Sequence, residues 1–181
     1  LHRPGIHPDA SIDPTARIDP TARIERGVTI GPAAQVGAHV HVGRDAIIGA
    51  RSYEPAEQAL LSQLGVRVMY MPEVLERGFA ACFAEARAIA STGTAGWGIS
   101  FDLDGLDPRD APGTGTPVEQ GIRLADALQA LDGCSHDPQF VAMELTEYNP
   151  LRDFGGQTAR AATELLCTVL APSAATLELA A

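Results

Sequence analysis

The stretch GISFDLDGLDPRDAPGTGTP, residues 98–117, decides how this chain is read. An apolar strand, WGISFDLD, runs into Asp102, Asp104 and Asp107 and then into a loop of Pro, Gly and Thr. In open α/β sheets, chemistry gathers at the carboxyl ends of strands. Asp102 and Asp104 stand there two residues apart, which sends both carboxylates off one face. Hard oxygen ligands paired in this way suit a divalent cation such as Mn²⁺ or Mg²⁺. Plain acidic strand ends share the same spacing. Asp107, just before Pro108, is expected to organise the turn by bonding nearby backbone amides.

Outward from this strand the pattern alternates. IIGARSY reads as a short strand leading to a helix that starts near Pro55 and covers 56–64, and VRVMYM (66–71) as a second strand. Residues 73–90 space Val74, Phe79, Phe83, Ala86 and Ile89 as one helix. A helix over 121–131, a strand at QFVAMEL (139–145) and a closing helix in GQTARAATELLCTVLA follow. Such alternation predicts right-handed crossovers and a parallel sheet with helices over its faces.

The first fifty residues follow another rule. Ile6, Ile12, Ile18, Ile24, Ile30, Val36, Val42 and Ile48 recur every six residues, and a small or β-branched residue stands four places after each up to Ala46. A period of six fits neither an α-helix nor an alternating strand, but it fits a solenoid whose flat sides are one repeat long. His39 and His41 in GAHVHVG should project from one face as surface histidines, with a metal pair or a base as alternatives.

Charge marks a boundary at the same place. Residues 1–50 carry five arginines against five carboxylates, and the remainder carries eight against eighteen, the whole net −10. That balance argues against nucleic-acid and anionic-membrane partners, which need a basic face. Cys82, Cys134 and Cys167 are odd in number and form no CxxC pair, so reduced thiols and a cytoplasmic location are expected. No apolar run approaches the roughly 18 residues of a membrane span. The hydrophobic share of 45 % suffices for a sizeable core.

HRPGIHPDASID and IGPAAQVGAHVHVG resemble the hexapeptide-repeat acyltransferases of the UDP-N-acetylglucosamine acyltransferase type. That resemblance implies a left-handed parallel β-helix over residues 1–48. At three repeats per turn it makes about two coils, without the later coils that carry the family's catalytic histidine.

SFDLDGLDPRDAPGTGTPVEQGI closely resembles the ureohydrolase signature of arginase, agmatinase and formimidoylglutamase. IGARSYEPAEQALLSQLGVRVMYMPEV and ELTEYNPLRDFGGQTARAATELL are similar to later stretches of the same family, in the same order. The likeness implies that residues 49–181 are the C-terminal half of a ureohydrolase, a partial three-layer α/β fold on a parallel sheet.

The family implies a binuclear manganese centre whose hydroxide attacks a guanidinium or amidine carbon. By position, Asp102 and Asp104 match two metal ligands. Glu54 falls where arginases read the substrate's amino group. Asp126 falls where they place a glutamate facing the guanidinium, one methylene shorter here. The family's Gly-Gly-Asp-His and Asp-x-His-x-Asp motifs do not occur, and His136 stands in a polar loop, so no catalytic residue is assigned.

The expectation is therefore an arginase-like chain with an incomplete Mn²⁺ site, weak or inactive alone, whose substrate would be a small guanidino or amidino compound. The alternative is a non-catalytic scaffold that assembles as a homo-oligomer, a trimer through the coil's flat faces. An acyltransferase fragment ranks third. The family's sheet order places a missing strand between the strand at 48 and the one ending in Asp102. The sheet closes that gap, a neighbouring chain fills it, or the repeat segment packs there.

Overall fold

A computed structural model describes residues 5–38, 40–43 and 45–170. It opens on two-residue strands set six residues apart: β1 (Gly5–Ile6), β2 (Ser11–Ile12), β3 (Arg17–Ile18), β4 (Arg23–Ile24), β5 (Thr29–Ile30), β6 (Gln35–Val36) and β7 (His41–Val42). Registers such as Ile6↔Ile24 and Ile24↔Val42 place parallel partners 18 residues apart. The pairs stack as β1-β4-β7, β2-β5 and β3-β6, a three-sided coil of parallel strands. His39 and the side chain of His41 lie outside the described residues, so the expectation for that pair stands beyond this structure.

The corners explain the repeated Asp-Pro-Thr. Asp13 and Asp19 each accept the amide of the threonine two places on, at 2.8 Å in both, while the proline presets φ for the turn. The coil is short, so only its middle stack is sandwiched. Ile24 is 1 % exposed, whereas Ile6 at the open end is 50 % exposed.

The remainder runs β8 (Ala46–Ala50), α1 (Pro55–Leu64), β9 (Arg67–Tyr70), α2 (Met71–Arg77), α3 (Phe79–Ser91), β10 (Trp97–Asp102), α4 (Leu124–Leu131), β11 (Phe140–Thr146) and α5 (Gln157–Leu170). The expected single helix over 73–90 is two. Gly78 sits at φ 83°, ψ 145°, a conformation that ends α2 and lets α3 leave in a new direction, burying Val74, Phe79 and Cys82.

Of the three expected outcomes at the missing-strand position, closure of the sheet does not occur, and the parallel strands stay divided into two pairs. β8 pairs in parallel with β9 (Ile47↔Val68), β10 pairs in parallel with β11 (Ser100↔Glu144), and β8 does not pair with β10. One helical layer spans both pairs, because α3 packs against β8 and β10 alike, with α4 beside α3 and α5 beside α4. The three-layer arrangement implied by the resemblance is not completed among the described residues. On the opposite face of β10 and β11, Gly98, Ser100, Asp102, Ala142 and Glu144 are exposed.

Core packing follows the helical layer. Met69, Leu103, Leu106, Leu131 and Leu165 are essentially inaccessible. The Trp97 ring lies 6.1 Å from Phe83 and 5.0 Å from Phe140 by centroids, and its Nε1 donates to Asp137 at 2.9 Å. This satisfied indole is what permits a tryptophan 4 % exposed.

The coil meets this unit at the amino ends of the strands. Arg26 donates to the Gln63 carbonyl at 3.0 Å, and a Cβ on Gly43 would come within 2.8 Å of Thr94 Cγ2. Both contacts precede β9 or β10 in the chain, so the carboxyl ends of the strands remain clear of the coil.

Candidate functional site: a cleft between two strand pairs

β8 ends at a bulge between Ile48 and Ala50, with Gly49 at φ 83°. The left-handed turn suits glycine for a second reason, since a Cβ there would lie 3.0 Å from Ile122 Cδ1. The bulge aims Arg51 across to the end of β10, where its guanidinium donates to the carbonyls of Asp104 (2.5 Å) and Gly105 (2.7 Å). Between the two strand ends lies a cleft of about 380 Å³, lined by residues 47–52, Asp102, Asp104, Gly105, Thr116 and Val118.

Asp102 and Asp104 do not sit on one continuous strand. β10 stops at Asp102, and Leu103–Gly105 forms a 3₁₀ turn that the Asp102 carboxylate caps by accepting the Asp104 amide at 2.9 Å. The turn brings the two carboxyls together. Burial raises the Asp104 pKa first, the neighbouring Asp102 raises it further, and Glu147 adds to both, while Arg51 pulls the other way. Burial and the neighbouring carboxylates thus disfavour an isolated charge on Asp104.

The loop beneath is rigid for visible reasons. Asp107, 2 % exposed, accepts the Arg109 amide at 3.0 Å and its Nε at 2.7 Å, which holds its carboxyl well below the usual carboxylate range. Gly113 donates to Thr158 Oγ1 at 2.7 Å, and Asp153 caps α5 through the amides of Thr158 and Ala159, both at 2.9 Å.

The structure brings Asp102 and Asp104 to the cleft, but it scatters the other two sequence-predicted residues. Glu54 is the N-cap of α1, just past the cleft-lining Ser52, and its amide donates to Glu57 Oε2 at 3.4 Å. Asp126 is exposed in the first turn of α4, outside the cleft lining. Sequence reasoning passed over two residues. Glu147 follows the carboxyl end of β11 in a positive-φ conformation (62°) and acts on Asp104 electrostatically. Arg51 follows the carboxyl end of β8. The strand-end rule that singled out Asp102 applies equally to both.

Among the described residues, no group of three or more His, Cys, Asp or Glu side chains is disposed to hold a metal ion. A dinuclear manganese centre needs more donors than the Asp102–Asp104 pair supplies. The residues present therefore do not fit that group. Among the described residues, no helix is long and apolar enough to cross a membrane.

Comparison with known proteins places this architecture. The profile of the Arginase family matches residues 6–171. An arginase of Brevibacillus brevis is 40 % identical over 123 residues, covering 68 % of this chain and 41 % of that protein. A guanidinopropionase of Pseudomonas aeruginosa is 40 % identical over 138 residues, covering 73 % and 42 %. The crystal structure of arginase from Bacillus subtilis superposes with a TM-score of 0.66 at 34 % identity, covering 71 % of this chain and 45 % of that one. The chain thus spans about two fifths of the length of the relatives it matches. It belongs to the arginase family.

Proposed function

We propose that this chain is the aspartate-bearing C-terminal part of a manganese-dependent ureohydrolase acting on a small guanidino or amidino compound, and that by itself it is weakly active or inactive. One observation carries the reading: in a chain of this family, two carboxylates and a third acidic side chain, Glu147, gather at the carboxyl end of a parallel strand pair beside an open cleft. Asp102 and Asp104 are the metal-facing residues of this reading. Glu54, two residues past the cleft-lining Ser52, is its substrate contact, and Asp126, on α4, is the second candidate for that role. Two carboxylates leave a manganese ion largely hydrated and exchangeable.

The coil supports a second part of the proposal. Its 18-residue parallel register is what a hexapeptide-type left-handed β-helix requires, and such a unit would gather copies of the chain, three through its flat faces. The free thiols Cys82, Cys134 and Cys167 suit the reducing cytoplasm.

Elemental analysis after Mn²⁺ loading and gel filtration tests the metal reading. Well under one ion should remain per chain, and urea release from arginine, agmatine or guanidinopropionate should stay near the blank. A tightly retained pair of ions with brisk turnover overturns the claim of incompleteness.

A further inference from the structure

We infer that residues 171–181 of this chain supply one further parallel β-strand, laid along the free edge of β11 with Leu177 and Leu179 in the apolar groove between β11 and α5. β11 pairs with β10 along one edge, and among the described residues no backbone group bonds the other. Beside that bare edge lies a groove of about 320 Å³, lined by residues 140–143 of β11 and by Leu166, Val169 and Leu170 of α5. Val141 is 69 % exposed and Leu170 70 %. Unpaired strand backbone flanked by apolar side chains is a template for one more strand.

The chain's own path leads there. α5 returns from the carboxyl end of β11, and its last turns stand beside residues 140–143, where that strand starts. The described residues stop at Leu170, itself part of the groove wall, so the chain passes out of them at the groove's mouth. A segment that leaves from this point runs along β11 in parallel.

Handedness selects the same edge. α4 and α5 lie side by side in the helical layer that α3 begins. The crossover β10–α4–β11 passes through that layer and steps from β10 to β11. Crossovers of this kind are right-handed in nearly every case, so a second one over the same face steps the same way. From β11 that step arrives at the outer edge.

The sequence fits the place. After Leu170 it reads APSAATLELAA. Pro172 lacks the amide that a helix needs, and residues 171–174 give a connection of the usual length between helix and strand. ATLELA, residues 175–180, then alternates, with Leu177 and Leu179 on one side and Thr176 and Glu178 on the other. That run spans about 20 Å as a strand, close to the length of the seven-residue β11. The leucine side meets Leu166 and Leu170, and the polar side joins the open face, where Ala142 and Glu144 are exposed. Glu144 accepts from Ser100 Oγ at 2.7 Å, which turns its carboxylate toward β10 and away from Glu178.

Methyl and amide NMR of the full chain tests this strand. Nuclear Overhauser contacts are expected between the methyls of Leu177 or Leu179 and those of Val141, Leu166 or Leu170, and their absence overturns the inference whatever any variant does. Leu177→Asp/Leu179→Asp keeps the backbone of the segment. It should speed hydrogen exchange of the outer-edge amides within 141–145 at least about tenfold and leave 97–102 unchanged. Glu178→Lys, on the open side, should leave both stretches unchanged. Equal exchange over 141–145 in the parent and the double variant overturns the inference. So does protection that rises with protein concentration alongside a dimer in light scattering, which assigns the edge to a second copy.

Discussion

The Arg51 guanidinium donates to the Gly105 carbonyl at 2.7 Å and so straps the carboxyl end of β8 to that of β10 across the cleft. Its second bond, to the Asp104 carbonyl, closes a two-toothed clamp on the 3₁₀ turn. Burial works against the charge, and Asp104, Asp107 and Asp102 work for it. A guanidinium stays protonated under such opposing influences. Arg51→Met keeps the apolar stem and deletes both charge-assisted bonds. The expected loss is about 1.5–3 kcal/mol, read as a lower urea midpoint at unchanged slope. A variant as stable as the parent would mean that the two carbonyls find water at no cost.

This strap also shows where reading the sequence stops. The period of six was visible because each aliphatic fills the same position in successive sides of the coil, and the αβ alternation was visible because each strand is a short apolar run. The Asp102–Asp104 pair was visible because two carboxylates beside an apolar strand demand an explanation. Arg51 gave no such signal, since an arginine past a strand end looks like any solvated one. The break at Gly78 was hidden because an apolar spacing of three and four continues across it, and a single glycine inside a helical pattern is ambiguous. Asp126 was placed by resemblance alone, and it stands exposed in the first turn of α4, outside the cleft lining. The division of the sheet could be inferred only from the family's strand order, because pairing is a long-range property that no local window contains.

Gly121 should tolerate no side chain. A Cβ there would lie 2.5 Å from the Asp107 nitrogen and 2.5 Å from the Leu106 carbonyl carbon, both backbone atoms that cannot rotate aside. The same contact carries the Leu106↔Ile122 bridge and the Asp107 amide bond to Ile122, at 2.9 Å. Gly121→Ala is expected to cost about 2–3 kcal/mol and lower Tm by about 5–10 °C. Gly115→Ala, whose Cβ would meet only Glu147 Oε2 at an ordinary 3.5 Å, should leave Tm within about 2 °C. Equal melting of the two variants would remove the steric argument.

Acid should loosen the seam between β9, α2 and α3. Arg67 and Arg77 each bond both Glu73 and Glu85, with Arg67 Nε to Glu85 at 2.7 Å and Arg77 Nη2 to Glu85 at 2.6 Å. These partners hold the Glu73 carboxyl down at about 2, from an ordinary 4.5, and lower Glu85 as well. A carboxyl whose folded pKa is depressed contributes stability above its unfolded value and loses it as pH falls toward the folded one. The Glu73 contribution is therefore complete above about pH 5 and fades between about pH 4.5 and pH 2. Glu73→Gln should be less stable than the parent at pH 7, and the gap should narrow as pH falls through that window. Added salt should shrink the gap too, because the pairs are open to solvent. Urea midpoints of the two proteins at pH 7, 5 and 3 check both statements, and a gap that widens in acid contradicts them.

The three cysteines should separate cleanly by reactivity. Cys82 on α3 is inaccessible and Cys134 is 3 % exposed, and burial pushes both thiols above their ordinary pKa. The thiolate is the nucleophile, so each is doubly protected, by access and by protonation. Cys167 stands on the outer side of α5, exposed to water. Titration of the native protein with an aromatic disulfide at pH 8 should therefore modify Cys167 promptly and leave Cys82 and Cys134 to react only as the fold opens, with all three reacting at once in denaturant. Cys167→Ser should abolish the fast phase and leave the slow one intact. Because α3 lies on both β8 and β10, the slow rate at Cys82 reports how often the layer beneath the cleft opens, and Arg51→Met should raise it by the same factor that it raises the population of opened molecules. A fast phase that survives Cys167→Ser would show that Cys82 or Cys134 is not held in the core as described.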